Sequence, residues 1–142
     1  MRGAAIVLAA LALAGCANSA AGPVAVAQAP APAVAFVGTG ELSAMRDADA
    51  AIVIDVRTPE EFAAGHLPGA INMPVDSFDP AAVPMEEGRE TVLYCRSGAR
   101  SARAADLLAD YTGGTVRHLE GGITAWTAAG GETVTEGEPA GD

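Results

Sequence analysis

The chain has 142 residues, with 18 acidic residues against 8 arginines, no lysine and a net charge of −10. That length holds one core of ordinary size and not two. Without lysine there is no Schiff-base chemistry and no G-K-[ST] phosphate loop. Two His and two Cys do not make a structural zinc site of the usual spacing, and an acidic chain without a basic run argues against nucleic acid and anionic lipid surfaces as partners.

Met1-Arg2 is followed by an uncharged apolar run of eleven residues, Ala4 to Ala14, which ends in Leu13-Ala14-Gly15-Cys16. A run of this length suits a signal-peptide core and is too short to span a bilayer. The segment resembles the bacterial lipoprotein signal, in which the leader is cut before the Cys and that Cys is lipidated. The resemblance implies an exported protein, held to the membrane only by lipid on Cys16. Ala17 stands where an Asp would redirect sorting, so the implied location is the outer membrane, facing the periplasm, or the outer face of the cell membrane where the source has no outer membrane. Lipidation of Cys16 then leaves Cys95 as the only thiol of the mature chain, with no intramolecular disulfide open to it.

Residues 16–35 are rich in Ala, Pro and Val without an apolar period, and read as an extended tether. The domain is expected over 36–131. Within it the pattern predicts a helix over 41–47, a buried strand over 51–56, a helix over 59–64 and a short strand over 70–73. An irregular stretch over 75–90 follows. Beyond it come a strand over 91–94, a helix over 100–110, a strand over 115–119 and a helix over 123–129. Ala104, Leu107, Leu108 and Tyr111 stand at core spacing. Short apolar strands alternating with helices predict an α/β domain whose parallel sheet is covered on both faces. Residues 132–142 are acidic and are expected to be disordered.

In a parallel sheet, sites form beyond the carboxyl ends of the strands. Cys95 directly follows the strand TVLY, and Arg96-Ser97-Gly98-Ala99-Arg100-Ser101 leads into a helix. Backbone N–H groups should converge there and favour an anion. Arg96, Arg100 and Arg103 add positive charge within eight residues of Cys95, in an otherwise acidic chain. The expected result is an acidified thiol in an electropositive cup.

Ile54-Asp55-Val56-Arg57-Thr58-Pro59-Glu60-Glu61-Phe62 with Gly65-His66-Leu67-Pro68-Gly69-Ala70 resembles the first signature of rhodanese domains. Tyr94 to Ser101 resembles their active-site loop, and Glu120-Gly121-Gly122-Ile123-Thr124-Ala125-Trp126 their closing motif. The resemblance implies a single rhodanese-like domain with a five-stranded parallel sheet and helices on both faces. It implies a sulfurtransferase in which Cys95 takes the outer sulfur of thiosulfate or a related anionic donor as a persulfide. A thiol, cyanide or a protein thiol then accepts the sulfur. Arg96, Ser97, Gly98, Ala99, Arg100 and Ser101 would bind the donor, with Arg96 and Arg100 on the sulfonate oxygens. No cofactor or metal is expected, and a monomer is. Asp55 is expected to tie down loops, Arg57 and Glu61 to pair across the turn into their helix, and His66 to hydrogen-bond a loop. His118 reads as scaffold, Gly121-Gly122 as a tight turn near the cup and Trp126 as core.

Two other readings carry weight. Cysteine phosphatases and arsenate reductases also use a Cys–Arg loop, but of the form C-x5-R. Here Cys95 and Arg100 enclose four residues, and the C-x5-R position is Ser101. The other reading is a persulfide carrier or binding module serving a partner protein.

Overall fold

The computed structural model describes residues 31–136. The leader, Cys16, the tether up to residue 30 and the tail from residue 137 lie outside the described residues. The strands are β1 (Ala33–Val37), β2 (Ala51–Asp55), β3 (Ile71–Asn72), β4 (Glu90–Tyr94) and β5 (Thr115–Leu119). The helices are α1 (Thr39–Asp47), α2 (Pro59–Ala64), α3 (Ala99–Thr112) and α4 (Gly122–Ala128). One all-parallel sheet runs in the order β1-β5-β4-β2-β3.

The central strands are buried on both faces because their side chains alternate between two apolar clusters. Ile52, Ile54, Leu93 and Cys95 point into one, with Ala104, Ala105 and Leu108 of α3. Ala51, Val53, Val92 and Tyr94 point into the other, with Leu42 of α1 and Trp126 of α4. Each fully buried Leu or Ile in such a cluster stabilises the fold by about 1.5–3 kcal/mol. The alternation has a consequence for chemistry. Cys95 continues the β4 pleat by one residue, so its thiol faces α3.

Local signals set several boundaries. Thr58 and Glu61 form a reciprocal capping box with Pro59 at the first helical position, and α2 starts there. Gly113, left-handed at φ 72°, ends α3. The stretch 75–90 holds two 3-10 turns, at Val75–Ser77 and Pro80–Ala82, and β4 begins at its last residue, Glu90.

Three expectations are corrected. The first strand begins at Ala33, inside the segment read as tether, and pairs with Thr115 onward. Residues 132–136 are ordered: Val134 exchanges backbone hydrogen bonds with His66 at 2.9 and 2.8 Å, and the Trp126 indole N–H donates to the Glu132 carbonyl at 2.8 Å. Leu107 and Tyr111 are 43% and 63% exposed. The buried stripe of α3 is Ser101, Ala104, Ala105, Leu108 and Ala109; apart from Leu108 these are small residues that let the helix lie close to the sheet, and Leu107 and Tyr111 fall on the outward side.

Candidate active site

The loop after β4 sits at the carboxyl edge of the sheet, where α3 begins. Gly98 stands at the N-cap with φ 116° and no side-chain cap, a backbone conformation that strains any residue with a Cβ. The first-turn N–H groups of α3 are therefore not claimed by a capping side chain. The N–H of the N-cap residue itself turns to Cys95, and Gly98 donates to Sγ at 3.1 Å.

Cys95 is 1% exposed. Burial by itself raises the thiol pKa. The Ser101 hydroxyl and the N–H groups of Ser101, Gly98 and Ser97 outweigh it and hold the thiol below its ordinary value. The loop thus favours a sulfur anion by hydrogen bonds more than by nearby full charges.

The closing motif explains how the loop keeps its shape. Gly121 and Gly122 are both left-handed, and a Cβ on Gly122 would overlap the carbonyl groups of Cys95 and Arg96. The glycine pair brings the start of α4 against the loop, where the Ile123 and Thr124 N–H groups donate to the Cys95 and Arg96 carbonyls at 2.9 and 3.2 Å. The loop carbonyls are thereby satisfied away from the cup, and the loop N–H groups face into it.

Behind the loop lies a buried ionic knot. Asp55 accepts the Arg57 backbone N–H at 2.9 Å and its guanidinium at 2.6–3.1 Å. Arg57 also donates to the Gly65 carbonyl at 2.7 Å, and Asn72 donates to the Asp55 and Arg57 carbonyls at 3.1 and 2.9 Å. The loops after β2, α2 and β3 are joined there.

The expected pairing of Arg57 with Glu61 is corrected. Arg57 belongs to Asp55, and Glu61 takes Arg100 from 39 positions away, in a two-pronged pair at 2.6 and 2.9 Å. Hydrogen bonding from Arg100 pulls the Glu61 pKa down to about 2. The Arg100 fork is thus spent on protein, whereas the Arg96 side chain is exposed and makes no hydrogen bond or ion pair among the described residues. Arg103 lies further out, 3.9 Å from Asp76, with both side chains exposed. A cleft of about 350 Å³ opens beside the loop, walled by Arg96, Ile123, Thr124, Thr127 and Thr133. A second cleft, of about 280 Å³, lies at the amino ends of the strands, where Arg46 and Arg89 are already bonded to backbone and to Asp49 and Glu86.

His66 bonds the Phe62 carbonyl through Nδ1 at 2.9 Å and stacks on the Phe62 ring at 3.7 Å. Ser101 and His118 meet in the interior, Oγ to Nδ1, at 3.0 Å. Sequence reasoning treated these two separately; they are 17 positions apart on α3 and β5, and nothing local signals the pairing. Among the described residues no cluster of three His, Cys, Asp or Glu gathers at metal-binding distance.

The family model described as rhodanese-like domain matches residues 39–129. An uncharacterised protein of Synechocystis sp. is 42% identical over 93 residues, covering 66% of this chain and 52% of that one, so the chain spans about half the length of that relative. A protein named sulfurtransferase from Allochromatium vinosum is 37% identical over 86 residues, 61% of this chain and 80% of its own. Among solved structures, the human single domain sulfurtransferase TSTD1 is similar at 33% identity and a TM-score of 0.53, over 70% of this chain and 97% of that one.

Proposed function

The chain belongs to the rhodanese-like domain family, and from that premise we propose that it moves a sulfane sulfur from a small anionic donor such as thiosulfate to a thiol acceptor through a persulfide on Cys95. The observation that carries this reading is the Gly98 N–H on Cys95 Sγ, at the head of a helix with no competing cap. A thiolate is the nucleophile in sulfur exchange, and this loop stabilises one without a general base.

The steps balance without an oxidant. The Cys95 thiolate attacks the outer sulfur of thiosulfate. The sulfur–sulfur bond of the donor breaks, and sulfite leaves with its electron pair. The outer sulfur stays on Cys95 as a persulfide anion, under the loop N–H groups. An acceptor thiolate attacks that sulfur, the persulfide bond breaks, and the Cys95 thiolate returns. Arg96, the unpaired cation at the rim, attracts the donor and meets its sulfonate. Asp55, Arg57 and Glu61 act by holding the loops.

The test is the mass of the full chain incubated with thiosulfate and desalted without reductant. The expected product is one sulfur atom heavier, the atom lost again to added thiol and absent from Cys95→Ser. Thiosulfate-dependent turnover by Cys95→Ser would remove the mechanism. The pH profile of kcat/KM should rise and level off below the ordinary thiol pKa, because the loop lowers the Cys95 value.

We also propose that the domain works at a membrane, anchored by lipid on Cys16. The support is the run from Arg2 to Cys16 alone. Cys16→Ser should abolish lipid labelling and leave the specific activity of the domain unchanged; labelling that persists would remove the anchor.

A further inference from the structure

The cleft beside the Cys95 loop is lined from two helices. Glu61 lies on α2, and Ile123, Thr124 and Thr127 lie on α4. Thr133 lines it too and belongs to neither helix. It stands in residues 131–136, a strap that leaves the end of α4 and reaches α2. The strap lies beyond the stretch 39–129 that matches the family model.

Both ends of the strap are tied. At the α4 end the Gly131 N–H donates to the Trp126 carbonyl at 2.9 Å, and a Cβ on Gly131 would overlap the Trp126 ring. The indole N–H then holds the Glu132 carbonyl at 2.8 Å. At the α2 end Val134 exchanges its two backbone bonds with His66, and the Glu136 N–H donates to the Ala63 carbonyl at 3.3 Å. Thr133 is exposed between these anchors, on the cleft. A segment that merely trailed away from α4 would need none of the bonds to α2.

Cys95 is 1% exposed, so sulfur carried on it is reached through the cup and not across open surface. The cleft, of about 350 Å³, is at the low end of the volumes that hold small ligands. A stable protein partner covers about 800 Å² on each side, and would have to lay that area over the strap.

We propose that residues 131–136 are a specificity element: they complete the cleft as the acceptor subsite, which admits a small free thiol and turns away a thiol carried on a folded protein. The inference rests on the sulfurtransferase reading and names its acceptor. The thiolate of the small acceptor attacks the outer sulfur of the Cys95 persulfide. The bond between the two sulfurs breaks, Cys95 leaves as the thiolate with the electron pair, and the acceptor carries the sulfane sulfur away.

The experiment follows unloading by mass. The full chain is loaded with thiosulfate and desalted, then mixed with N-acetylcysteine or with a folded protein bearing one surface cysteine, at equal thiolate concentration. The readout is the ratio of the two unloading rates, which a merely weaker fold does not move, because both acceptors meet the same persulfide. The parent should favour N-acetylcysteine. Val134→Pro removes the N–H given to the His66 carbonyl, and should narrow the ratio about tenfold by speeding the protein thiol. Thr133→Trp leaves every anchor in place and fills the cleft; it should narrow the ratio by slowing N-acetylcysteine, and it decides if Val134→Pro does not fold. A parent that serves both thiols equally, or a ratio unmoved in a folded variant, overturns the proposal and leaves the sulfurtransferase reading standing. A parent that takes no sulfur from thiosulfate overturns that reading, and the proposal with it.

Discussion

Two arginine–carboxylate pairs stand near the Cys95 loop, and they are different objects. Asp55–Arg57 is a pair two positions apart, with side chains 0% and 7% exposed and further backbone partners on both residues. Glu61–Arg100 joins α2 to the start of α3 with side chains about one-third exposed, at 33% and 34%. The first is sealed, so its charges are met by each other and by nearby backbone groups rather than by water. The second borders water and the cup, so an incoming anion can compete for it. The difference teaches that a shared chemistry of two parallel N–H···O contacts serves as scaffold in one place and as an adjustable contact in the other.

The largest expected effect breaks the buried member. Asp55→Ala should leave Arg57 charged and sealed, destabilising the domain by about 3–5 kcal/mol. At about 4–8 °C per kcal/mol for a domain of this size, the loss is plain in a melting curve. A melting point within a few degrees of the parent would mean that the knot is not the scaffold described here.

The next effect separates the free arginine from the occupied one. Arg96→Ala should lower kcat/KM for thiosulfate by about 10- to 100-fold, the loss of one charge-assisted contact. Arg100→Lys should cost about threefold, since the Arg100 fork is given to Glu61. A persulfide donor without a sulfonate should be affected less by Arg96→Ala. The reverse order, with Arg100→Lys the more damaging on thiosulfate alone, would return the sulfonate to Arg100.

The smallest effect concerns Glu61. Glu61→Gln should cost about 1 kcal/mol or less, as expected for a partly exposed pair. The pH dependence follows from the sign of the shift. The Glu61 pKa is depressed to about 2, against about 4.3 for an unfolded Glu. Its stabilisation is therefore complete above the unfolded value and is lost as pH falls through 4 toward 2. Stability curves of parent and variant should lie apart at neutral pH and meet near pH 2. Curves that stay equally apart down to pH 2 would show that Glu61 acts only as a helix cap.

The two pairs also divide what could be read from residues alone. Asp55 was expected to tie down loops, with no partner named, although Arg57 stands only two positions away. The rule that Glu61 belongs with Arg57 follows a logic of nearness and fails, because the nearest opposite charge along the chain was already taken by Asp55. Arg100 becomes the partner only once α3 is packed across β4. Glu61 did leave one local trace, the Thr58–Glu61 capping box, which accounts for its place on α2 but not for its second partner.

Periodicity and punctuation determined the order of elements, the parallel sheet and the place of the Cys95 loop between β4 and α3. Those rest on contacts within a few residues: the pleat of TVLY, Pro59 at a helix start, and the glycines at 98, 113, 121 and 122. Tertiary structure alone decided the rest. β1 is a strand because β5, eighty-two positions later in register, offers it an edge; its Ala and Val residues look the same as tether. Val134 is ordered because His66 supplies two hydrogen bonds. The Ser101 hydroxyl meets His118 Nδ1 because α3 and β5 pack against each other in the interior. The physical reason is common to all three cases: a hydrogen bond between distant residues has no period and no composition, and it comes into being only when burial removes the competing water.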